Sequence, residues 1–107
     1  MENGETFESG INRSDYRILV VDDVMSNVLL LKILLTNEKF QVLTANNGTT
    51  CLKVCKEQHP DLVLLDVMMP DISGFDTAVE LKKDPVTADI PIKAFAFFKL
   101  CVSVKPT

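Results

Sequence analysis

The stretch LVLLDVMMPD, residues 62–71, decides the fold, because an apolar run here ends in a carboxylate. Its first four residues predict a buried strand, and Asp66 follows them directly. A second run of the same kind, RILVVDD at residues 17–23, ends in Asp22 and Asp23. Runs that are apolar throughout, rather than alternating, are typical of strands covered on both faces in a parallel sheet.

Size and composition allow one soluble globular domain and exclude several classes of protein. The chain has 107 residues, of which 47% are hydrophobic and 24% charged. A net charge of −4 argues against a nucleic-acid surface, which needs a basic stripe. No apolar run is long enough to cross a membrane, and the polar start does not resemble a secretory signal. Three cysteines without metal-ligand spacing favour a reducing cytoplasm.

The segment after Asp23 predicts a leucine-rich helix with a broad buried face. Ser26 is a plausible N-cap for this helix. Three residues form the central stripe of the face and three more widen it: Val28, Leu31 and Leu35, then Leu30, Ile33 and Leu34.

Further elements alternate along the chain. FQVLTA at residues 40–45 predicts a second strand, and a short helix follows it, ending before Pro60. Cys51 and Cys55 share a face of that helix and are predicted to be small core residues.

After residues 62–71, a third helix is predicted with Phe75, Ala78 and Val79 on one face. IPI at residues 90–92 then begins a fourth strand. The alternation predicts an open, doubly wound α/β sheet of parallel strands.

The acids at the ends of the first and third strands are the candidate functional residues. Ligands of such sheets bind outside the carboxyl ends of the strands, where the strand order reverses. Asp22, Asp23 and Asp66 crowded there would repel one another unless a cation neutralises them, and an all-oxygen pocket suits Mg²⁺. A metal beside a carboxylate indicates phosphoryl transfer, with Asp66 as the nucleophile. The alternative is that each acid merely marks a strand reaching the surface.

The two acidic motifs, ILVVDD and LVLLDVMMPDISG, resemble those of the receiver domain of two-component response regulators. The resemblance covers about residues 17–92. It implies a flavodoxin-like sheet of strand order 2-1-3-4-5 and phosphorylation of Asp66 by a sensor histidine kinase or phosphotransfer protein. It also implies that Asp23, Asp66 and the carbonyl of Met68 bind Mg²⁺, with Asp22 acting through water.

The loop after the acceptor also matches the resemblance, while the C-terminal part departs from it. Pro70 and Gly74 match the family's loop. The family has Ser or Thr at the end of strand four, where this chain has Ala96, and Lys105 is only a doubtful match to the family's lysine because the crossover before a fifth strand is too short.

These departures predict three parts of the chain. They are a flexible arm at residues 1–16, a receiver-like domain at 17–92 and an atypical tail at 93–107, with a fold incomplete at the C-terminus. In the family a final helix packs beside the first one. Without it, the leucine-rich face of residues 28–35 would be partly uncovered and would favour self-association.

Several functions remain open at this point. The first is a phosphoacceptor domain, which is a signalling module rather than an independent enzyme. The second is a degenerate or truncated receiver that serves as a non-switching interaction module. A phosphohydrolase would need a second acid where Met68 stands, and a flavodoxin-like cofactor binder would need a phosphate loop where DDVMS, residues 22–26, carries negative charge.

Overall fold

The computed structural model describes residues 13–69 and 74–95, which form an α/β sandwich. The elements, in chain order, are β1 (Arg17–Val21), α1 (Met25–Asn37), β2 (Gln41–Ala45), α2 (Gly48–Gln58), β3 (Leu62–Asp66), α3 (Gly74–Lys83) and β4 (Ile92–Phe95). The predicted alternation of strands and helices is therefore confirmed.

The four strands form one parallel sheet in the order β2-β1-β3-β4. The order reverses between β1 and β3, as the doubly wound prediction requires, and the flavodoxin-like fold class is confirmed. Val21, the last residue of β1, lies beside Ala45 on one side and Leu65 on the other. The described residues supply the first four positions of the expected order, and the predicted departure at the C-terminal side falls largely outside them.

The helices lie on opposite faces of the sheet. The connection from β1 to β2 crosses the sheet in one direction, and the connection from β2 to β3 crosses it in the opposite direction. Because such crossovers are right-handed, α1 lies on one face of the sheet and α2 on the other. Helix α3 packs beside α2. The principal core lies among β1, β3 and these two helices, and its buried members are Leu19, Val21, Ala45, Cys51, Cys55, Val63, Leu65, Met69, Leu81 and Ile90.

The two cysteines of α2 are core residues, as predicted. Cys51 and Cys55 are both 0% exposed, and neither forms a disulfide. A hydrogen bond with Cys55, together with burial, raises the pKa of the Cys51 thiol. Cys51 is therefore held in the protonated form and acts as a small apolar side chain.

The prediction of a broad buried face on α1 is wrong in part. Val28 is buried, and Leu31 and Leu35 are half-buried, but Ile33 is 56% and Leu34 51% exposed. Leu30, Met25 and Leu29 are exposed as well. Within the described residues, α1 packs against β1 and β2, so side chains that point away from these strands meet solvent.

The start of α1 also differs from the prediction. The N-cap is Val24 rather than Ser26, and no side chain caps it. The carbonyl of Val24 instead accepts hydrogen bonds from the backbone N–H groups of Asn27 and Val28, at 3.0 and 3.2 Å. The helix therefore begins at Met25, two residues earlier than a Ser26 cap would allow.

Helix α3 buries a different face from the one proposed. Phe75 is 67% and Val79 53% exposed, whereas Ala78, the third residue of the predicted face, is half-buried and packs against the core. The buried residues are Gly74, Thr77 and Leu81, which follow one another at intervals of three and four residues. The apolar spacing thus predicted the helix correctly but not its orientation on the sheet.

The predicted segment boundaries fall inside structured regions. Arg13–Asp15 form a 3-10 turn, and Tyr16 packs on Phe40 with the ring centroids 5.8 Å apart, so residues 13–16 of the predicted arm are held against the fold. Strand β4 likewise continues past residue 92 to Phe95. The rest of the predicted arm and tail, residues 1–12 and 96–107, lies outside the described residues. None of the helices described here has the length and apolar character needed to span a membrane.

Candidate acidic site at the carboxyl ends of the strands

Strands β1 and β3 bring three carboxylates together. Because β1 and β3 pair in parallel up to Val21 and Leu65, the residues that follow reach the same edge of the sheet. Oxygen atoms of Asp22, Asp23 and Asp66 all lie within 4.8 Å of one another. The predicted convergence of these side chains is therefore observed.

The three carboxylates differ in their exposure to solvent. Asp22 and Asp66 are each 1% exposed, whereas Asp23 is exposed. A buried carboxylate needs a partner of opposite charge or several hydrogen-bond donors. The site therefore has two buried carboxylates, those of Asp22 and Asp66, and one carboxylate, that of Asp23, at the surface.

Asp22 is held by donors from the start of α1. Its Oδ1 accepts a hydrogen bond from the backbone N–H of Val24 at 3.0 Å, and its Oδ2 accepts one from Nδ2 of Asn27 at 2.9 Å. The backbone N–H of Asp22 donates to the carbonyl of Ala45 at 3.2 Å, which continues the pairing of β1 with β2. Both the backbone and the carboxylate of Asp22 are thus fixed.

Asp66 is anchored between its own loop and β4. Its Oδ1 accepts a hydrogen bond from the backbone N–H of Met68 at 2.9 Å. The next residue, Val67, donates its N–H to the carbonyl of Phe95 at 3.0 Å. Asp66 therefore ends β3 inside the sheet rather than on a loop.

Gly74 lies directly against the backbone of the candidate acceptor. A Cβ atom at this position would come within 2.3 Å of the carbonyl oxygen of Asp66 and 2.4 Å of the Cα of Val67. No side chain fits in that space. The contact shows that glycine is needed here to leave space between α3 and the strand end.

The donor set of the site fits a hard divalent cation. Three carboxylates offer only oxygen, which Mg²⁺ prefers, and a cation would relieve their mutual repulsion. Cysteine and histidine, the usual ligands of zinc, are absent from the cluster. A carboxylate oxygen fixed beside such an ion can act as a nucleophile toward phosphorus.

The remaining residues predicted for the site fall into two groups. Met68, which is 43% exposed, lies two residues after Asp66, and Gly74 lies against the peptide that joins Asp66 to Val67. Pro70, Ala96 and Lys105 lie outside the described residues. Sequence reasoning missed Asn27, although a polar side chain five residues after Asp22, directly before the run of leucines, was a usable signal.

The single histidine lies at the other end of the sheet. His59 ends α2 in a left-handed conformation, φ 44°, and its Nε2 is 3.1 Å from Oδ1 of Asp89. This hydrogen bond lowers the pKa of the exposed Asp89 carboxyl. Since α2 begins at the carboxyl end of β2 and runs back along the sheet, His59 is remote from the acidic site.

Comparison with known proteins places this arrangement in a family. The family model described as the response regulator receiver domain matches residues 18–98. The chain is 50% identical over 76 residues to the response regulator PleD of Caulobacter vibrioides, which covers 71% of this chain and 17% of that protein. It is 38% identical over 76 residues to the protein PilH of Pseudomonas aeruginosa, covering 71% of this chain and 63% of PilH.

Solved structures agree with the sequence relatives. The N-terminal domain of a response regulator receiver protein from Methanoculleus marisnigri has a TM-score of 0.73 and 40% identity, covering 74% of this chain and 64% of that one. A chain from the complex of histidine kinase ThkA with response regulator protein TrrA has a TM-score of 0.71 and 40% identity, covering 78% of this chain and 70% of that one. The chain thus spans a small part of PleD and somewhat less than two thirds of PilH.

Proposed function

The chain belongs to the response regulator receiver domain family, and we propose that it accepts a phosphoryl group on Asp66 from a histidine phosphodonor in the presence of Mg²⁺. The observation that carries the proposal is the cluster of Asp22, Asp23 and Asp66, whose oxygens lie within 4.8 Å of one another at the switch point of the sheet. On this proposal the chain is a signalling phosphoacceptor and not an independent enzyme.

The residues of the site have two proposed roles in the transfer, which are cation binding and nucleophilic attack. Asp23, Asp66 and the main-chain carbonyl of Met68 would hold the cation, with Asp22 contributing through water. The bound ion would offset the negative charge on the transferring phosphoryl oxygens. A carboxylate oxygen of Asp66 attacks phosphorus, a P–O bond forms, and the P–N bond to the donor imidazole breaks, returning the electron pair to nitrogen.

The fixed position of Asp66 supports its role as acceptor. The hydrogen bond from Met68 N–H to its Oδ1, and the bond from Val67 N–H to β4, restrain the carboxylate before a donor arrives. Such restraint reduces the entropic cost of aligning nucleophile and phosphorus. Burial of Asp66, at 1% exposure, excludes bulk water from its inner side.

The proposed donor is a sensor histidine kinase or a phosphotransfer protein. One solved structure similar to this chain comes from a complex of a histidine kinase with a response regulator, which supports a partner of that kind. The proposal places the chain in the cytoplasm, in keeping with the free thiols of Cys51 and Cys55.

Phosphorylation of the purified chain tests this function. Incubation with a small phosphodonor such as acetyl phosphate and Mg²⁺ is expected to add the mass of one phosphoryl group to the intact protein. Asp66→Asn should abolish the gain, while Asp89→Asn, at the opposite end of the sheet, should retain it. No gain in the folded wild type would contradict the proposal and would favour a degenerate receiver that acts only through protein contacts.

The exposed apolar side of α1 supports a second proposal, that two copies of this chain associate. Met25 is 61%, Leu29 51% and Ile33 56% exposed, and these residues lie four apart on one stripe of the helix. A helix that is apolar on all sides is normally covered. A second copy offers a matching stripe without requiring any other partner.

Light scattering over a range of concentrations tests this association. The wild-type chain is expected to increase in apparent mass with concentration, and Leu29→Gln combined with Ile33→Gln should reduce the increase. Val79→Gln, at an equally exposed position on α3, serves as the control and should leave association unchanged. A wild type that stays monomeric at every concentration would refute the proposal.

A further inference from the structure

Asn27 is the buried polar residue of a leucine-rich helix. It is the third residue of α1, it is 3% exposed, and Val28 and a run of leucines follow it in the chain. Burying a primary amide costs free energy unless the amide is hydrogen-bonded. Its presence here therefore needs a specific partner.

That partner is the carboxylate of Asp22. Nδ2 of Asn27 lies 2.9 Å from Oδ2 of Asp22, and the contact is buried. An ionised carboxylate only accepts hydrogen bonds, so the NH₂ group of the amide must face it. Hydrogen bonds to a charged acceptor in a buried setting are among the stronger ones in proteins.

The amide completes a two-point attachment of Asp22 to α1. The backbone N–H of Val24 binds Oδ1 at 3.0 Å, while the side chain of Asn27 binds Oδ2. Because Oδ1 and Oδ2 each accept a hydrogen bond from α1 or its N-cap, rotation of the carboxylate about its Cβ–Cγ bond breaks at least one hydrogen bond. The two donors also offset part of the negative charge that Asp22 brings close to Asp23 and Asp66.

We propose that Asn27 is a positioning residue of the cation site, holding Asp22 in the orientation in which it serves a bound divalent ion. The inference rests on the proposed function for the ion, but the attachment of Asp22 to α1 can be tested without it. Side chains that orient metal ligands typically contribute a factor of about 10–100 to metal affinity.

Magnesium affinity of the full chain tests the role toward the ion. Asn27→Leu keeps a similar side-chain volume and removes the donor, and calorimetric titration with Mg²⁺ is expected to show affinity about ten-fold or more below that of the wild type. Val28→Ala is the matched control, because Val28 is the next residue, is 5% exposed and is apolar. It should destabilise the fold and leave the affinity of the folded protein unchanged.

Two results of the titration would overturn the inference. One is a folded Asn27→Leu variant that binds Mg²⁺ within two-fold of the wild type. The other is an equal loss of affinity in Val28→Ala, which would mean that Asn27 acts only through general stability.

A double-mutant cycle without Mg²⁺ separates this inference from the proposed function. Asn27→Leu, Asp22→Ala and the double variant are compared by their urea midpoints, and the shifts are expected to be non-additive because the two side chains share a hydrogen bond. Additive shifts would overturn the attachment. If the wild type binds no Mg²⁺, the proposed function fails, and the cycle still decides whether Asn27 holds Asp22.

Exchange of the Asn27 side-chain amide protons in the wild type covers the case in which the variants do not fold. Slow exchange is expected for a buried amide bonded to a carboxylate. Exchange at the rate of an exposed asparagine would contradict the inference.

Discussion

The helices on the two faces of the sheet both carry apolar side chains, but these side chains are buried to very different extents. On the face covered by α2 and α3, Leu81 is 1% exposed and both cysteines of α2 are completely buried. On the other face, α1 carries Leu29 at 51% and Ile33 at 56% exposure. The difference does not come from composition, since α1 is the more apolar helix.

The difference shows that burial is a property of the neighbours as much as of the side chain. Helices α2 and α3 contact each other as well as the sheet, so each side chain between them meets apolar atoms on several sides. Within the described residues, α1 has the two strands below it and its outer stripes meet solvent. Leucines on the two faces should therefore contribute unequally to stability.

The largest expected effect is the contrast between two leucine truncations. Leu81→Ala should reduce the free energy of unfolding by about 2–5 kcal/mol, because it removes a buried side chain and leaves a cavity. Leu29→Ala should change it by less than about 0.5 kcal/mol. Urea unfolding at a concentration where both variants are monomeric measures the difference, and equal losses would show that α1 is covered in solution.

Gly74→Ala is expected to have the next largest effect. The added Cβ would overlap the carbonyl of Asp66, and relief of that overlap requires movement of α3 or of the strand end, at a cost of about 1–3 kcal/mol. Thermal unfolding measures the loss, with Phe75→Ala, the exposed neighbour, as the control. A Gly74→Ala variant as stable as the wild type would mean that α3 is loosely seated on the packed face.

A smaller effect is expected at the tie between β1 and the end of α2. The guanidinium of Arg17 donates to the carbonyls of Gln58 and His59, the latter at 2.8 Å, where the partial negative charge of the helix end is concentrated. Arg17→Ala should cost about 0.5–1.5 kcal/mol. Arg17→Lys keeps the charge but not the guanidinium, so amide exchange in the last turn of α2 that is faster in Arg17→Lys than in the wild type would identify the hydrogen bonds, rather than the charge alone, as the cause. Exchange as slow as in the wild type in both variants would contradict the prediction.

The smallest expected effect is a weak loss of stability in acid from Asp84, which follows α3. A hydrogen bond from the backbone N–H of Val86 and the nearby ammonium of Lys56 lower the pKa of the half-buried Asp84 carboxyl below its ordinary 3.8. The contribution of the Asp84 carboxylate to the stability of the fold is therefore complete above the ordinary pKa. It is lost as the pH falls through the lower pKa of the folded protein. Thermal midpoints between pH 5 and 2 should fall slightly less for Asp84→Asn than for the wild type, and identical profiles would contradict this.

Much of the fold could be predicted from the sequence because its signals are local. Continuous apolar runs identified β1 and β3, and the alternation of elements identified the doubly wound sheet. The face of α3 could not be predicted, because Phe75 and Val79 are as apolar as the residues that are buried. The side of α3 that faces the core is the one on which Gly74 lies against Asp66, and that contact joins residues whose approach depends on the whole fold.

The acidic residues of the candidate site were predicted from the sequence, but the residues that hold those acids in place were not. Asp22, Asp23 and Asp66 follow apolar strands, and the strand order from the family resemblance brought them together. Val24 and Asn27, at the start of α1, donate hydrogen bonds to the buried carboxylate of Asp22. Ser26 has better intrinsic capping chemistry than Val24, and capping preference alone therefore pointed to the wrong residue.

The close contact of Gly74 with the backbone of Asp66 offers a way to monitor phosphorylation of Asp66. The backbone of residue 74 touches the peptide that carries Asp66, so its amide resonance would respond to chemistry at the carboxylate without any added label. The chain contains four glycines, which makes that signal easy to assign in an amide spectrum. The first turn of α3 thus offers a natural spectroscopic probe of the site.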